Sequence, residues 1–283
     1  MTRPDTHVGG DKAPLATWVI LWVVAVICLL PAAWLVISSF RPTIELARFD
    51  FRNIGWTLEN YRIAFGQTET LRWMLNSAIV SLGATALGIS FGALSAYSFA
   101  QHIFAGRHFL FLLILMAIAL PEYVTLIPTF VIARTLGILD TYWSVILPLA
   151  PHGLTVFLLR QYFRQIPADL IDAARVDGAS EFRVFFQVAL PLVRPGLGAA
   201  TLLLFLSTWN AFLLPLVMLR SPELFTMPVG LSMLYADLEN NAPVYDPWAP
   251  ILASTVISIL PLAACLVLMQ RQFVAGMTAG AVK

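Results

Sequence analysis

The histidine, cysteine and nucleotide-binding patterns of this sequence indicate neither a metal centre nor a catalytic site. The four histidines do not have the spacing of metal ligands: His7, His102, His108 and His152. Cys28 and Cys265 both lie within apolar runs, which argues against a disulfide framework or a zinc site. The sequence has no G-x-x-x-x-G-K-[ST] segment, so the chain is not expected to hydrolyse ATP itself. We therefore expect no catalytic residue, metal or cofactor on this chain.

A few polar side chains interrupt the apolar stretches and could line a path for a solute. Glu122 is the single acidic residue within a predicted membrane span, where a carboxylate costs about 2.5–3.5 kcal/mol near the bilayer centre. It should therefore face a wet cavity or the bundle interior, and Thr125 and Thr129 share its helix face. Asn210, beside Trp209, is a second candidate. The alternatives are interhelical hydrogen bonds or, for Glu122, a position near the outer interface.

Residues 166–191 carry the signals of two short helices joined by a sharp turn. Pro167 suits the first turn of a helix, and Asp169 suits the positive end of the helix dipole. Gly178 can adopt a left-handed conformation and end that helix. Ser180 is then available to cap a second helix. The segment is predicted to form a helix, a turn and a helix.

The surface of the first of these helices is suited to docking against another protein. Ala173 and Ala174 would let a second surface come close, and Asp172 and Asp177 offer carboxylates to basic partners. Phenylalanines on the second helix could anchor the element to the bundle: Phe182, Phe185 and Phe186. A short helix held at its base can transmit a push as a rigid body. The alternative is an amphipathic linker that lies on the membrane surface.

Long apolar stretches must hold these groups, and the composition places them in a membrane. The chain is 59% hydrophobic and 12% charged, with a mean hydropathy of +0.81. A bilayer core about 30 Å thick needs roughly 20 apolar residues in a helix. Six runs qualify: residues 16–39, 74–100, 109–132, 142–159, 196–219 and 249–269. Ala16–Phe40 is too long for a cleaved signal and is expected to be a retained anchor. An all-α membrane protein of six transmembrane helices is predicted.

One face of the second span carries small and hydroxyl side chains. They recur at steps of three and four residues: Ser77, Ser81, Thr85, Gly88, Gly92 and Ser95. Small residues at this spacing let helices approach closely, so helix packing is the main interpretation and pathway lining is the alternative.

The connections between the spans predict the topology of the chain. The expected divisions are a cytoplasmic tail at 1–15, a periplasmic connection at 40–72, a core at 73–270 with a cytoplasmic loop at 160–195, and a cytoplasmic tail at 271–283. This topology puts ten Lys and Arg residues inside and seven outside, which agrees with the positive-inside rule. A net charge of +1 with scattered basic residues gives no indication of nucleic-acid binding.

The stretch Asp172-Ala-Ala-Arg-Val-Asp-Gly-Ala-Ser180, followed by Phe185, Pro191 and Pro195, resembles the EAA loop of the membrane subunits of binding-protein-dependent ABC importers. That pattern, Glu-Ala-Ala with a glycine about six residues after the acid, is highly specific. The surrounding chain, over roughly residues 70–283, resembles the carbohydrate-uptake branch, in particular the maltose-permease-like second membrane subunit. The matching segments are LNS at 75–77, LIPTF at 126–130, LGILDTYWSVILP at 136–148, FLLRQYF at 157–163, TWNAFLLPL at 208–216 and QRQFVAGMTAGAVK at 270–283.

The resemblance implies the type I ABC importer permease fold and a place in a larger assembly. The chain would form half of the transmembrane pathway for a sugar or related polyhydroxylated solute, and it would couple ATPase motion to alternating access. A dimer of separate ATP-hydrolysing subunits would bind ATP and Mg. The other implied partners are a second permease subunit, a periplasmic or lipid-anchored solute-binding protein and membrane lipid. The location would be the bacterial inner membrane, with several spans and both termini in the cytoplasm.

The resemblance also assigns roles to particular positions. The loop would seat in a cleft of the ATPase through Asp169, Asp172, Ala173, Ala174, Asp177, Gly178 and Ala179. Asp172 stands where the family has a glutamate that pairs with a basic residue of the ATPase, and its side chain is one methylene shorter. The tail from Gln270 would reach toward the ATPase dimer as an extended segment, made adaptable by Gly276 and Gly280. Ala211 replaces an acid that the family often has, so no substrate role is transferred to it.

Other classes of membrane protein fit the sequence less well. A proton- or sodium-driven secondary transporter would normally show internal repeats and paired broken helices, and no convincing repeat is visible. A membrane-embedded enzyme would need clustered acid and base groups at membrane depth. Within the importer class, a glycerol-phosphate or polyol importer is the alternative to a sugar importer.

Overall fold

The structure is a computed structural model, and it describes residues 15–42, 55–240 and 248–279. These residues form helices and short connections, without a strand among them. The helices are α1 (Leu15–Ser39), α2 (Glu59–Gly66), α3 (Thr70–Gln101), α4 (Arg107–Ala119), α5 (Glu122–Thr135), α6 (Tyr142–Leu149), α7 (Gly153–Phe163), α8 (Ala168–Val176), α9 (Glu181–Leu192, with a π-helical middle at Val184–Ala189), α10 (Arg194–Trp209), α11 (Leu213–Met218), α12 (Met227–Asn240) and α13 (Trp248–Ala279).

The described helices supply up to six apolar spans. Three are long and apolar enough to cross a bilayer alone, namely α1, α3 and the Pro250–Gln270 part of α13. Three further pairs reach that length only when each bent pair counts as one span, namely α4 with α5, α6 with α7, and α9 with α10. The predicted all-α membrane fold is confirmed, but half of its spans are broken.

The predicted span at 109–132 is wrong as a single helix. The chain turns by 105° between α4 and α5. Leu120 is extended, with φ −73° and ψ 127°, because the ring of Pro121 crowds the residue before it. Pro121 also lacks the N–H that would continue α4. Consequently α5 begins at Glu122 in a new direction.

The predicted spans at 142–159 and 196–219 are also divided. The first is bent by 42° between α6 and α7. In the second, α10 ends at Trp209, and α11 begins only at Leu213. The Asn210 side chain donates to the carbonyl of Leu206 at 2.8 Å, a local bond that competes with continued helix. The chain also bends by 81° between α9 and α10, so these two helices point in different directions.

The centre of the bundle is α3, which packs against α6, α7 and α10. A Cβ added to Gly88 would lie 2.5 Å from the carbonyl oxygen of Ala150 and 2.6 Å from Leu204 Cδ2. A Cβ added to Gly92 would lie 2.9 Å from Thr155 Cγ2. No side chain fits in these contacts, so the small-residue face of α3 serves close helix packing, as the main interpretation predicted.

The first helix, α1, lies at the edge of the bundle. Its side chains are exposed along nearly the whole length, and its packing partner is α13. It is attached at its end, where Asn60 Nδ2 donates to the carbonyls of Ser39 at 2.8 Å and Arg41 at 2.9 Å. The Ser39 hydroxyl also lies 2.8 Å from the hydroxyl of Tyr61. α1 therefore contributes little to the core.

The last helix corrects the expectation of an extended C-terminal tail. α13 continues through Gln270 and Gly276 and ends at Ala279. A run of good helix formers after Pro261 outweighs the cost of a single glycine, which is about 1 kcal/mol in a helix interior. Gly280 lies outside the described residues.

Candidate functional site

The segment after α7 forms the predicted helix, turn and helix. α8 ends at a turn in which Gly178 has φ +81°, the left-handed region that favours glycine. The N–H of Ala179 donates to the carbonyl of Ala174 at 3.0 Å, which closes the helix end as in a Schellman motif. The Ser180 side chain accepts a bond from the N–H of Arg183 at 3.4 Å and caps α9. We call residues 168–192 the hairpin.

One face of α8 packs on the bundle and the other is open. Ile171 is buried in a cluster with Val184, whereas Asp169 and Ala173 are exposed. Asp172, Asp177 and Gly178 are exposed as well. The expectation for Ala174 and Ala179 needs correction: both are half-buried against the hydrophobic cluster, because they lie on the same side as Ile171. Of the three alanines predicted to dock, only Ala173 is exposed.

The anchoring of the hairpin rests on one of the three predicted phenylalanines. Phe185 is 3% exposed, and its ring centroid lies 5.2 Å from that of Tyr97 and 6.2 Å from that of Phe163. Phe182 and Phe186 are 72% and 55% exposed, so the prediction that they anchor α9 is wrong within this chain. The reason is geometric, since a single side of α9 can face the bundle.

A charged network that the sequence reasoning missed joins the parts of the hairpin. Arg175 Nε donates to Glu181 Oε1 at 2.8 Å, and Arg175 Nη2 donates to Glu181 Oε2 at 3.3 Å. Arg175 Nη1 also donates to Asp172 Oδ1 at 3.2 Å. The second of these oxygens, Glu181 Oε2, also lies 3.1 Å from His102 Nε2. The hydrogen bonds from Arg175 hold the pKa of Glu181 below its ordinary value.

Four of the predicted pathway residues lie around one cavity. A cavity of about 610 Å³ opens between α5, the α6–α7 bend and the end of α10. Its lining includes Glu122, Thr125, Thr129 and Asn210. The break between α4 and α5 brings the first three to this cavity, and the end of α10 brings the fourth. The spacing of the residues along α5 could predict their common face, but not the meeting with Asn210.

The polar groups of this cavity differ in their free hydrogen-bonding capacity. The hydroxyls of Thr125 and Thr129 donate to backbone carbonyls of α5 at 2.9 and 2.6 Å, so their oxygens remain as acceptors. The carboxylate of Glu122 makes no hydrogen bond or ion pair within the described part of the chain. The prediction that Trp209 lines the pathway needs correction. Its side chain is 2% exposed, packs on Phe205 and does not line this cavity.

At the opposite end of α5, Asp140 holds two connections together. Asp140 has φ +59°, and its Oδ1 accepts from the backbone N–H groups of Arg220 at 2.8 Å and Ser221 at 2.9 Å. The Ser221 hydroxyl donates to Oδ2. The bond from this hydroxyl, followed by those from the backbone, lowers the pKa of Asp140.

Comparison with known proteins places the chain among transport proteins. Residues 88–279 match the model of a family described as "Binding-protein-dependent transport system inner membrane component". The chain is 37% identical over 281 residues to the arabinooligosaccharides transport system permease protein AraQ of Halalkalibacterium halodurans, covering 96% of this chain and 98% of that protein. It is 33% identical over 275 residues to the galactooligosaccharides transport system permease protein GanQ of Bacillus subtilis, covering 95% of each.

The fold is shared with a solved transporter. A chain from the crystal structure of a bacterial ABC transporter involved in the import of the acidic polysaccharide alginate matches with a TM-score of 0.77. The match has 23% identity and covers 92% of this chain and 95% of that chain.

Among the residues that the structure describes, no three His, Cys, Asp or Glu side chains come together as metal ligands.

Proposed function

The chain belongs to the family of binding-protein-dependent transport system inner membrane components, and from that premise we propose that it is the permease subunit of an ATP-driven importer for a sugar or related solute. The observation that carries the proposal is the hairpin, an exposed helix–turn–helix seated on the bundle by Ile171 and Phe185. The relatives named above are permeases for arabinooligosaccharides and galactooligosaccharides, which supports an oligosaccharide as cargo.

The hairpin is the proposed contact with a dimer of separate ATP-hydrolysing subunits, which bind ATP and Mg. Ala173 leaves room for a second surface, and Asp169, Asp172 and Asp177 around it offer negative charge to basic side chains. The base of the hairpin lies in the core cluster, so a displacement of α8 must move the helices that pack there. The chain itself does no ATP chemistry in this scheme.

The cavity around Glu122 is the proposed part of the solute pathway in this subunit. Glu122 and Asn210 offer hydrogen-bonding groups to hydroxyl-rich solutes, and the break before α5 exposes backbone at the same place. A second permease subunit would close the pathway from the other side. A solute-binding protein, periplasmic or lipid-anchored, would deliver the cargo at the outer mouth.

The proposed topology places the chain in the bacterial inner membrane with both termini in the cytoplasm. The hairpin then faces the cytoplasm, and the connection around Asp140 faces outward. Support comes from the surplus of Lys and Arg on the predicted inner side.

Cross-linking tests this arrangement directly. In a variant with Cys28 and Cys265 changed to alanine, Ala173→Cys is combined with single cysteines in the ATPase cleft of the assembled transporter. We expect efficient cross-links from position 173 and none from the matched control Leu136→Cys, which is also exposed but lies near Asp140. Absence of a cross-link from Ala173, or ATP-dependent uptake without the ATPase subunits, would contradict the proposal.

A further inference from the structure

The turn of the hairpin is short, and local hydrogen bonds hold the two helix ends that it joins. Only four residues separate α8 from α9, namely Asp177, Gly178, Ala179 and Ser180. A Cβ added to Gly178 would have no atom within 4 Å. Ile171 and Phe185 seat the two helices on the bundle, and α8 also packs directly on α9, with Ile171 and Val184 in one cluster. Apolar contacts are non-directional, so a directional contact across the turn would add to them in fixing the angle between the two helices.

Arg175 and Glu181 supply an interaction with the required geometry. Arg175 lies in the last turn of α8 and Glu181 in the first turn of α9. The two bonds between them, at 2.8 and 3.3 Å, pair two planar groups side by side. Such a bidentate pair fixes orientation as well as distance. It therefore fixes α8 relative to α9 across the glycine turn.

The same carboxylate also reaches the end of α3. Glu181 Oε2 lies 3.1 Å from His102 Nε2, in the residue that follows α3, and it accepts a bond from the hydroxyl of Tyr97 at 3.5 Å. Glu181 thus connects three elements: α8 through Arg175, α9 through its own backbone, and α3 through His102 and Tyr97. Since α3 is the centre of the bundle, this connection is a direct route from the hairpin to the core.

The network is too exposed for its main effect to be stability. The side chains of Arg175 and Glu181 are 34% and 49% exposed, and ion pairs of this kind contribute little to folding. The hairpin keeps its apolar anchors without it. We infer that Glu181 is a positioning residue, which holds α8 at a fixed angle and passes its displacement to the end of α3. This inference rests on the proposed importer function.

Glu181→Gln, which removes the charge but keeps the size, tests the inference in the complete transporter with both permeases, the ATPase dimer and the binding protein. We expect solute imported per ATP to fall by about two- to fivefold, the effect of losing one or two exposed charged contacts. Arg175→Lys keeps the charge but loses the paired geometry, and we expect it to lower the same ratio. The matched control is Glu59→Gln, which breaks an exposed Glu59–Arg62 pair of 3.8 Å in α2.

Spin-label distances give a readout that does not depend on transport. Labels at the exposed positions Val176 and Ser98 report the placement of α8 against α3. Glu181→Gln should broaden this distance distribution, and Glu59→Gln should leave it unchanged. An unchanged distribution in Glu181→Gln would overturn the inference, and so would a broadened one with unchanged import per ATP. If the wild type itself shows no ATP-dependent import, the proposed function fails separately, whatever the distances show.

Discussion

Gly178→Val is the substitution that should separate ATP hydrolysis from import. Gly178 has φ +81°, a conformation that a β-branched residue rarely adopts. A Cβ at this position would meet no atom within 4 Å, so the cost comes from the backbone and not from a clash. That backbone cost is about 1–3 kcal/mol. The turn can avoid it by leaving the left-handed region, which swings α8 away from its present direction.

The expected loss of import in Gly178→Val depends on the contacts of the hairpin that the substitution leaves intact. Ile171 and Phe185 still seat the hairpin in the core, where truncation of a buried phenylalanine alone would cost about 3–5 kcal/mol. The subunit should therefore fold and assemble. Since about 1.4 kcal/mol is a factor of ten, a cost of about 1–3 kcal/mol should lower the population of hairpins in the native geometry by roughly 5- to 150-fold. We expect import per ATP to fall by a similar factor while ATPase activity persists.

The assay is ATP hydrolysis and solute uptake measured on the same proteoliposomes, with assembly checked by size-exclusion chromatography. Gly106→Val is the matched control, because Gly106 has φ +80° and open space around its Cβ position, but lies before α4 outside the hairpin. Wild-type uptake in Gly178→Val would refute the reasoning. Equal uncoupling in Gly106→Val would show that strain at any such turn suffices, which would remove the special role of the hairpin.

Three further substitutions test packing, electrostatics and the pathway. Gly196→Val should lower the melting temperature, because even a Cβ would lie 2.4 Å from the ring of Tyr162, and overpacking costs about 1–3 kcal/mol; an unchanged melting temperature would contradict the packing described. Asp140→Asn should be less stable than the wild type at neutral pH, and a thermal melt series should show the difference shrinking in acid. The sign follows from the lowered pKa of Asp140: its contribution is present above the unfolded-state pKa and is lost as the pH falls through the folded-state pKa, so a difference that grows in acid would oppose the assignment to Ser221. Glu122→Gln should change the solute concentration that gives half-maximal uptake with little change in basal ATPase activity, and identical uptake curves would argue against a pathway role for this carboxylate.

Local chemistry made the hairpin predictable from the sequence. The left-handed Gly178 and the Ser180 cap depend on residues within a few positions, and the structure shows both. The close packing of α3 was predictable for a similar reason, since small residues at steps of three and four favour close helix approach over the alternative of pathway lining. Cavity lining by Thr125 and Thr129 follows from their spacing to Glu122 along one helix.

Features that depend on distant contacts were not predictable in the same way. An apolar run shows that a segment is buried or in lipid, but a proline within it does not tell whether the helix bends slightly or turns by 105° as it does before Glu122. The exposure of Phe182 and Phe186 depends on which side of α9 faces the bundle. The pairing of Glu181 with His102 joins residues 79 positions apart, and no local pattern marks it.

The exposure of the α1 side chains has a consequence for how this part of the sequence can vary among related organisms. Because the side chains from Leu15 to Trp34 are exposed, exchanges among Leu, Ile, Val and Phe there should change stability by no more than about 0.5 kcal/mol. Any replacement by a charged residue near the middle would instead cost about 2.5–3.5 kcal/mol. The sequence of α1 can therefore vary as long as its residues stay apolar. The glycines of α3 cannot be replaced in this way, because they lie in close helix contacts.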